Sequence, residues 1–116
     1  MMDADKYQEL AMRTANSDAY DSYIDMLMNS ALGLCGESGE IADIVKKARF
    51  QGHDLEAERE HIVKELGDVA WYVALGATAV GVRLSTILEM NVDKLKTRYP
   101  NGFDSERSQH RAEGDI

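Results

Sequence analysis

Four acidic side chains form two pairs, and the spacing within each pair is that of one helix face. Glu37 and Glu40 are three residues apart, as are Glu65 and Asp68. Residues three apart lie on the same side of a helix, close enough to share a ligand. Two such pairs on neighbouring antiparallel helices converge, and their carboxylates repel each other unless a cation neutralises them. Oxygen ligands of this kind favour Mg²⁺ or Mn²⁺ over zinc, so the pattern predicts a divalent-metal site.

The alternative, ordinary solvated charges on helix surfaces, is weakened by the neighbouring residues. Asp68 lies within ELGDVAWYVALG, and no charged residue follows it before Arg83. A helix of that composition is expected to bury most of its surface, where an unpaired carboxylate costs several kcal/mol. We therefore predict that Asp68 lies in an apolar setting and needs a cation as its partner.

Other reactive residues are weaker candidates. His61, one turn before Glu65, is either an outer ligand or, by preference, a solvated histidine. A di-iron centre would place Glu-x-x-His on two helices, but Glu40 and Asp68 stand where those histidines would be, which favours a hard non-redox ion. Trp71 is interpreted as a packing anchor rather than a base-stacking platform. Tyr72, one turn beyond Asp68, is the better candidate for ligand contact.

Three glycines precede and interleave with the first carboxylate pair. Gly33, Gly36 and Gly39 recur every three residues, and each costs about 1 kcal/mol of helix propensity relative to alanine. The strip either lets another helix approach closely or leaves room for a ligand beside Glu37 and Glu40. The sequence does not separate these two readings.

Helical periodicity predicts the elements that must position these residues. Four helices are expected, at about residues 3–14, 22–49, 55–80, and from 85 or 86 to before Pro100. The seam of the second is predicted to be Ile24, Met28, Ala31, Cys35, Ser38, Ala42 and Val45, a spacing typical of bundle packing. The third is apolar around much of its second half, so other chains are expected to cover it. The prediction is an all-α, four-helix-bundle-like, oligomeric domain over residues 1–116, with a flexible or draped tail from about 104.

Composition excludes several classes of protein. The net charge of −8 is unfavourable for binding nucleic acid. The one cysteine, Cys35, excludes an intramolecular disulfide and fits a reducing cytosol. The N-terminus does not resemble a signal peptide, and the most apolar stretch, residues 67–82, is shorter than the roughly 20 residues that a bilayer requires. We expect a cytoplasmic protein that does not bind membranes.

A polar and basic stripe occurs near the end of the fourth helix. Asn91, Lys94 and Arg98 recur at helical spacing and precede Tyr99-Pro100. If this helix packs near the metal, the stripe supplies positive charge to a bound anion. The alternative is a solvated basic turn that complements the helix dipole. Both interpretations stay open on the residues alone.

Three segments together resemble a known family. GESGEIADIVKK, KELGDVAWYV and NVDKLKTRYPNGF resemble the MazG-like, all-α nucleoside triphosphate pyrophosphohydrolases, over roughly residues 32–103. The defining pattern of that family, E-x-x-E followed by E-x-x-D, is met by the four carboxylates described above. The resemblance implies that Glu37, Glu40, Glu65 and Asp68 hold Mg²⁺, with Mn²⁺ as a possible substitute, and that Glu37 or Glu40 also orients or deprotonates the attacking water.

The resemblance also implies a reaction and a quaternary structure. A nucleoside triphosphate would be cleaved to its monophosphate and pyrophosphate for nucleotide-pool control. Asn91, Lys94 and Arg98 would lie near the phosphates and Tyr72 near the sugar, in a homodimer or a tetramer of two dimers. The preferred base depends on residues of the first helix and the following loop and is not predicted. A non-catalytic oligomer that binds nucleotide or metal as a regulator is the alternative, and a di-metal redox bundle is a third, less favoured one.

Overall fold

A computed structural model describes residues 1–116, and the prediction of an all-α fold is confirmed. The chain has no β-strand; its only other regular segments are two 3₁₀ turns, Ser17–Ala19 and Glu56–Glu58. The helices are α1 (Ala4–Met12), α2 (Tyr23–Phe50), α3 (Arg59–Ala79), α4 (Leu84–Arg98) and α5 (Ser105–Gln109). They belong to two compact units, Met1–Leu84 and Ser85–Ile116.

The first unit is organised by the antiparallel packing of α2 against α3. The Ser30 hydroxyl on α2 donates to the Tyr72 carbonyl on α3 (2.7 Å), whereas Glu37, two turns further along α2, lies beside Glu65, two turns earlier on α3. The helices approach closely here, since a β-carbon at Gly76 would lie 2.6 Å from the Ser30 oxygen. The same antiparallel register brings the carboxylates together two turns away.

The α1 helix lies antiparallel along α3 and is tied to it by two side chains. The Trp71 indole N–H donates to the Ala11 carbonyl (3.0 Å) and to the Thr14 hydroxyl (2.9 Å). The Gln8 amide N–H donates to the Thr78 hydroxyl and to the Val82 carbonyl in the turn after α3, and its oxygen accepts from the N–H of Leu84, the first residue of α4. These bonds fix α1 next to the part of α3 that follows Asp68.

The inward face of α2 differs from the predicted seam. Ile24 and Met28 are more than half exposed, whereas Ser30 and Ile44 are buried. The α2 helix has two faces that carry small and apolar residues. The face packed inside the chain contains serine and glycine, so its sequence is less apolar than that of the exposed face. The seam that the sequence indicates is therefore the outer face of this chain.

The helix ends follow local backbone preferences. Asp3 caps α1 by accepting from the N–H of Lys6 (2.8 Å), and Gly81, with φ of +74°, terminates the turn after α3. No single helix is long and apolar enough to cross a membrane; the segments Glu56–Ala79 and Leu84–Arg98 meet that test only as a bent pair.

The second unit contains an element that the sequence did not predict. Where a flexible tail was expected from residue 104, the short helix α5 forms, and the Asp104 carboxylate caps it by accepting from the N–H groups of Glu106 and Arg107. The Arg107 side chain donates to the Arg98 carbonyl at the end of α4 (2.7 Å). Within this unit α5 is thereby tied to the last turn of α4.

Candidate metal centre

Three of the four predicted carboxylates converge between α2 and α3. One carboxylate oxygen from each of Glu37, Glu65 and Asp68 lies within 4.8 Å of the others. Glu65 and Asp68 are one turn apart on α3, and the antiparallel register places Glu37 of α2 opposite them. Three oxygens at this separation can close on one hard divalent cation by small side-chain movements.

Glu65 is partly buried, with 15% of its side chain accessible, whereas Asp68 is exposed. Its Oε1 contacts His61 Nε2 (3.1 Å), whereas its Oε2 is buried without any hydrogen-bond partner. A buried carboxylate oxygen without a donor is costly, and a cation between the three side chains would satisfy it. The donor set therefore fits a divalent ion of the Mg²⁺ or Mn²⁺ type.

The negative charge of the carboxylate cluster helps to raise the pKa of Glu37. The pKa of this carboxyl is raised from 4.5 to about 7. The main cause is the adjacent Glu65 side chain, which can accept the proton of Glu37, followed by burial and by the charges of Glu65, Asp68 and Glu40. Without a cation, Glu37 thus retains a proton near neutral pH, and it must release this proton before it can serve as a ligand.

This shift predicts how stability depends on pH in the presence of a chelator. Because the folded protein holds the Glu37 proton more tightly than the unfolded chain, the resulting stabilisation is complete below pH 4.5 and is lost as pH rises through about 7. With chelator present, the melting temperature of the wild type should fall between pH 5.5 and pH 8, and that of Glu37→Gln should fall less steeply. Added Mg²⁺ should raise the wild-type melting temperature more at pH 8 than at pH 5.5. Glu60→Gln, on the exposed side of α3, is the control. A fall in Glu37→Gln equal to that of the wild type would assign the effect to another group.

His61 contacts the cluster through Glu65 and does not itself belong to the group of three carboxylates. Its Nδ1 lies 3.1 Å from Glu58 and its Nε2 3.1 Å from Glu65. The pKa of His61 is raised, mainly by the bond to Glu58 and then by Glu65. The imidazole ring therefore holds one oxygen of Glu65 in place. This role lies between the outer ligand and the solvated histidine that the sequence suggested.

Two members of the predicted set lie in surroundings that differ from the expectation. Asp68 is exposed, so the apolar composition of α3 does not bury its carboxylate. Glu65, one turn earlier, is the less accessible of the two. Glu40 is also exposed and lies outside the group of three. It acts on the group through its charge, which contributes to the raised pKa of Glu37.

An open cavity of about 380 Å³ adjoins the carboxylates, and it contains Tyr72 as well as two residues that were not predicted to be functional. Its lining is Thr14, Glu37, Asp68, Trp71 and Tyr72. Trp71, interpreted from the sequence as a packing anchor, both bonds to α1 and lines this cavity. Its position one turn after Asp68 was the signal that could have identified it, since residues three apart share a face.

The glycines near this cavity have different surroundings. A methyl group at Gly33 would overlap the Tyr72 ring, whereas β-carbons at Gly36 and Gly39 would meet no atom within 4 Å. Within the chain, close packing therefore explains Gly33 and leaves the other two on an open face. Gly33 therefore lets the Tyr72 ring approach α2 closely, next to the cavity that Glu37 and Asp68 also line.

The predicted phosphate-contacting residues belong to the second unit, on α4. Asn91 and Lys94 are exposed. Arg98 is paired with Asp115 through two hydrogen bonds, of 2.8 and 2.7 Å. Lys94 and Arg98 also line one cavity together.

The chain is similar in sequence to known proteins. The sequence pattern described as the MazG nucleotide pyrophosphohydrolase domain matches residues 28–103, a segment that includes all four predicted carboxylates. The Gene 37 protein of Mycobacterium phage L5 is 41% identical over 106 residues, which span 87% of this chain and 92% of that protein. No solved structure matches the chain.

Proposed function

We propose, from the premise that this chain belongs to the family of MazG nucleotide pyrophosphohydrolase domains, that it hydrolyses nucleoside triphosphates. The products are the nucleoside monophosphate and pyrophosphate, the reaction depends on Mg²⁺, and its role is control of the nucleotide pool. The observation that carries the proposal is the convergence of Glu37, Glu65 and Asp68 between two packed helices.

The proposed metal ligands are these three side chains together with Glu40. Glu40 is exposed and follows Glu37 by three residues, so rotation of its side chain is enough to bring it to the same face. Mg²⁺ bound here would neutralise phosphate charge and lower the pKa of water. This explains how a chain of net charge −8 binds a polyanion.

Glu37 and Glu40 are the proposed catalytic pair. The oxygen of a water molecule attacks the α-phosphorus, the bond to the bridging oxygen breaks, and pyrophosphate leaves. The proton of the water passes to a carboxylate on α2. The pH dependence of the hydrolysis rate, measured separately for Glu37→Gln and Glu40→Gln, would show which carboxylate accepts the proton.

The cavity beside the carboxylates is the proposed nucleoside site. Tyr72 and Trp71 present aromatic surface there, with ring centroids 5.0 Å apart and an edge-on arrangement. Thr14 adds a hydroxyl from the end of α1. The pKa of Tyr7, also on α1, is raised by burial and by the charge of Asp68, which places this helix within electrostatic reach of the site. Asn91, Lys94 and Arg98 are proposed to contact the phosphates.

We further propose that the active form is a homodimer or a tetramer of two dimers. The uncovered stripe of α2 supports association, because Ile24, Met28 and Leu32 are between 54% and 66% exposed. Contiguous apolar surface of this kind is characteristic of protein interfaces. Light scattering after size exclusion should give at least twice the 12.9 kDa mass of one chain, and a monomer would contradict the proposal.

A panel of nucleoside and deoxynucleoside triphosphates with Mg²⁺, analysed for monophosphate and pyrophosphate, tests the function. In water enriched with ¹⁸O, the label should enter the monophosphate, because the attack is at the α-phosphorus. Label in pyrophosphate, no turnover of any nucleotide, or full activity of Glu40→Gln would contradict the proposal. Stabilisation by nucleotide without turnover would favour a regulatory protein instead.

A further inference from the structure

One face of α3 carries a row of titratable side chains that leads to the carboxylate centre. Glu58, His61, Glu65 and Asp68 follow one another at intervals of three, four and three residues, which is the spacing of a single helix face. Glu58 ends the 3₁₀ turn before α3, and the other three lie in the helix. His61 thus stands between Glu65, a member of the group of three carboxylates, and Glu58, which lies outside that group.

The His61 ring contacts a carboxylate with each of its two nitrogens. Nδ1 lies 3.1 Å from Glu58 Oε2, and Nε2 lies 3.1 Å from Glu65 Oε1. Because an ionised carboxylate only accepts hydrogen bonds, the Nε2 atom donates to Oε1 of Glu65. Rotation of the ring would break at least one of the two contacts. Glu58 therefore fixes the orientation of the ring that holds Glu65.

The two oxygens of Glu65 consequently have different surroundings. Oε1 is engaged by His61, whereas Oε2 is buried without a hydrogen-bond partner. A carboxylate whose two oxygens are both available can bind a cation through one or through both. With Oε1 engaged, Glu65 offers a cation only Oε2, so the chain itself restricts how this ligand binds.

This restriction affects different divalent ions differently. Mg²⁺ is small and requires a nearly ideal octahedron of oxygens, in which each carboxylate supplies one atom. Ca²⁺ is larger, takes more oxygens and readily accepts both atoms of one carboxylate. A glutamate limited to a single oxygen therefore suits Mg²⁺ and deprives Ca²⁺ of a ligand atom.

We propose that His61 is a positioning residue that determines the metal selectivity of the centre: by holding Oε1 of Glu65 it limits this ligand to one oxygen, and so favours Mg²⁺ over Ca²⁺. The inference rests on the proposed function for one point, that Glu37, Glu65 and Asp68 hold a divalent cation. It adds to that function a residue outside the ligand set and a discrimination between two ions of equal charge.

Displacement of bound Mn²⁺ by Ca²⁺ and, separately, by Mg²⁺ tests this on the full chain in the absence of nucleotide. The electron paramagnetic resonance signal of aqueous Mn²⁺ reports the ion that is released, and the two titrations give the ratio of Ca²⁺ affinity to Mg²⁺ affinity. In His61→Leu this ratio should rise about tenfold, an effect of the size usual for partners of metal ligands. Because both ions carry the same charge, any change in the charge of residue 61 affects them alike.

Two further variants provide the controls. His61→Gln retains an N–H donor on a neutral side chain, so it should keep the ratio within about twofold of the wild type. His53→Leu removes the other imidazole that lines the adjoining cavity of about 320 Å³, and it should leave the ratio unchanged. The His61 side chain is 50% exposed, so its replacement should not prevent folding, which circular dichroism checks.

An unchanged ratio in His61→Leu would overturn the proposal. An equal rise in His53→Leu, or a rise in His61→Gln as large as that in His61→Leu, would overturn it as well, because neither follows from the bond to Glu65. Absence of Mn²⁺ binding by the wild type would contradict the metal site itself and this inference with it. Since no turnover is measured, a shifted ratio supports the role of His61 whether or not any nucleotide is hydrolysed, and an unshifted one leaves the proposed hydrolysis intact.

Discussion

Replacement of Glu65 by glutamine is expected to lower kcat/KM for nucleoside triphosphate hydrolysis by about a hundredfold or more, equivalent to roughly 3 kcal/mol of transition-state stabilisation. The substitution keeps the size of the side chain and its contact with His61, but it removes a charged oxygen from the point where three carboxylates meet. The buried Oε2, which has no hydrogen-bond partner, would lose the charge that attracts the cation. Steady-state kinetics with saturating Mg²⁺ measures the effect.

Glu60→Gln is the matched control for this experiment. Glu60 lies on the same helix, its side chain is 84% exposed, and it pairs only with Lys64, so activity should stay within twofold, since exposed ion pairs contribute about 0–1 kcal/mol. Mn²⁺ titration followed by electron paramagnetic resonance should show weaker binding in Glu65→Gln alone. Equal kinetics in the two variants would remove Glu65 from the proposed metal site.

Replacement of Gly33 by alanine is expected to destabilise the protein by about 1–3 kcal/mol, the usual cost of overpacking a closely packed contact. The new methyl group would overlap the Tyr72 ring, which would have to move away from α2. Because Tyr72 lines the cavity beside the carboxylates, the apparent affinity for nucleotide should fall together with stability. Urea denaturation and the KM for the preferred nucleotide measure these two effects.

Gly36→Ala, one turn further along the same helix, provides the comparison. Its β-carbon would meet no atom within 4 Å, so the gain in helix propensity should stabilise a monomer by up to about 1 kcal/mol. A loss at Gly36 as large as that at Gly33 would mean that a second chain covers this face. Stabilisation by Gly33→Ala itself would contradict the close contact with Tyr72.

The helical part of the fold was accessible from the sequence, but the identity of the packed face was not. Periodicity alone identified α2 and α3 and predicted a seam along Ile24 and Met28. In the structure this stripe is exposed, and Ser30 and Ile44 are buried instead. When a helix has two faces of small and apolar residues, either face can pack against the rest of its own chain. Which face is buried depends on the partner helix, and the sequence of one helix does not contain that information.

The local elements that were missed have specific reasons. The α5 helix is only five residues long, Ser105–Gln109, so it shows no periodicity from which to predict it. Its stability comes from the Asp104 cap and from the bond between Arg107 and the Arg98 carbonyl. The pair between Arg98 and Asp115 joins residues that are distant in sequence, and nothing in their spacing indicates it.

The sequence predicted which residues form the candidate site better than it predicted how deeply each of them is buried and what surrounds it. The spacing of Glu37, Glu65 and Asp68 brought their oxygens to one point, and the family to which the resemblance pointed is confirmed. Burial was expected at Asp68, but Asp68 is exposed and Glu65, one turn earlier on α3, is the less accessible of the two. Thr14 reaches the site through a contact between Trp71 on α3 and the turn after α1, which the spacing within one helix does not reveal. His61, in contrast, contacts Glu58 and Glu65, its near neighbours in sequence.

Trp71 gives this protein an intrinsic optical reporter. It is the only tryptophan in the chain, its indole N–H is bonded to α1, and its ring lines the cavity next to Glu37 and Asp68. All tryptophan emission therefore comes from one place, where the polarity around the ring changes whenever the cavity fills or α1 moves. Occupancy of the site and release of the first helix can thus be followed in real time without any label.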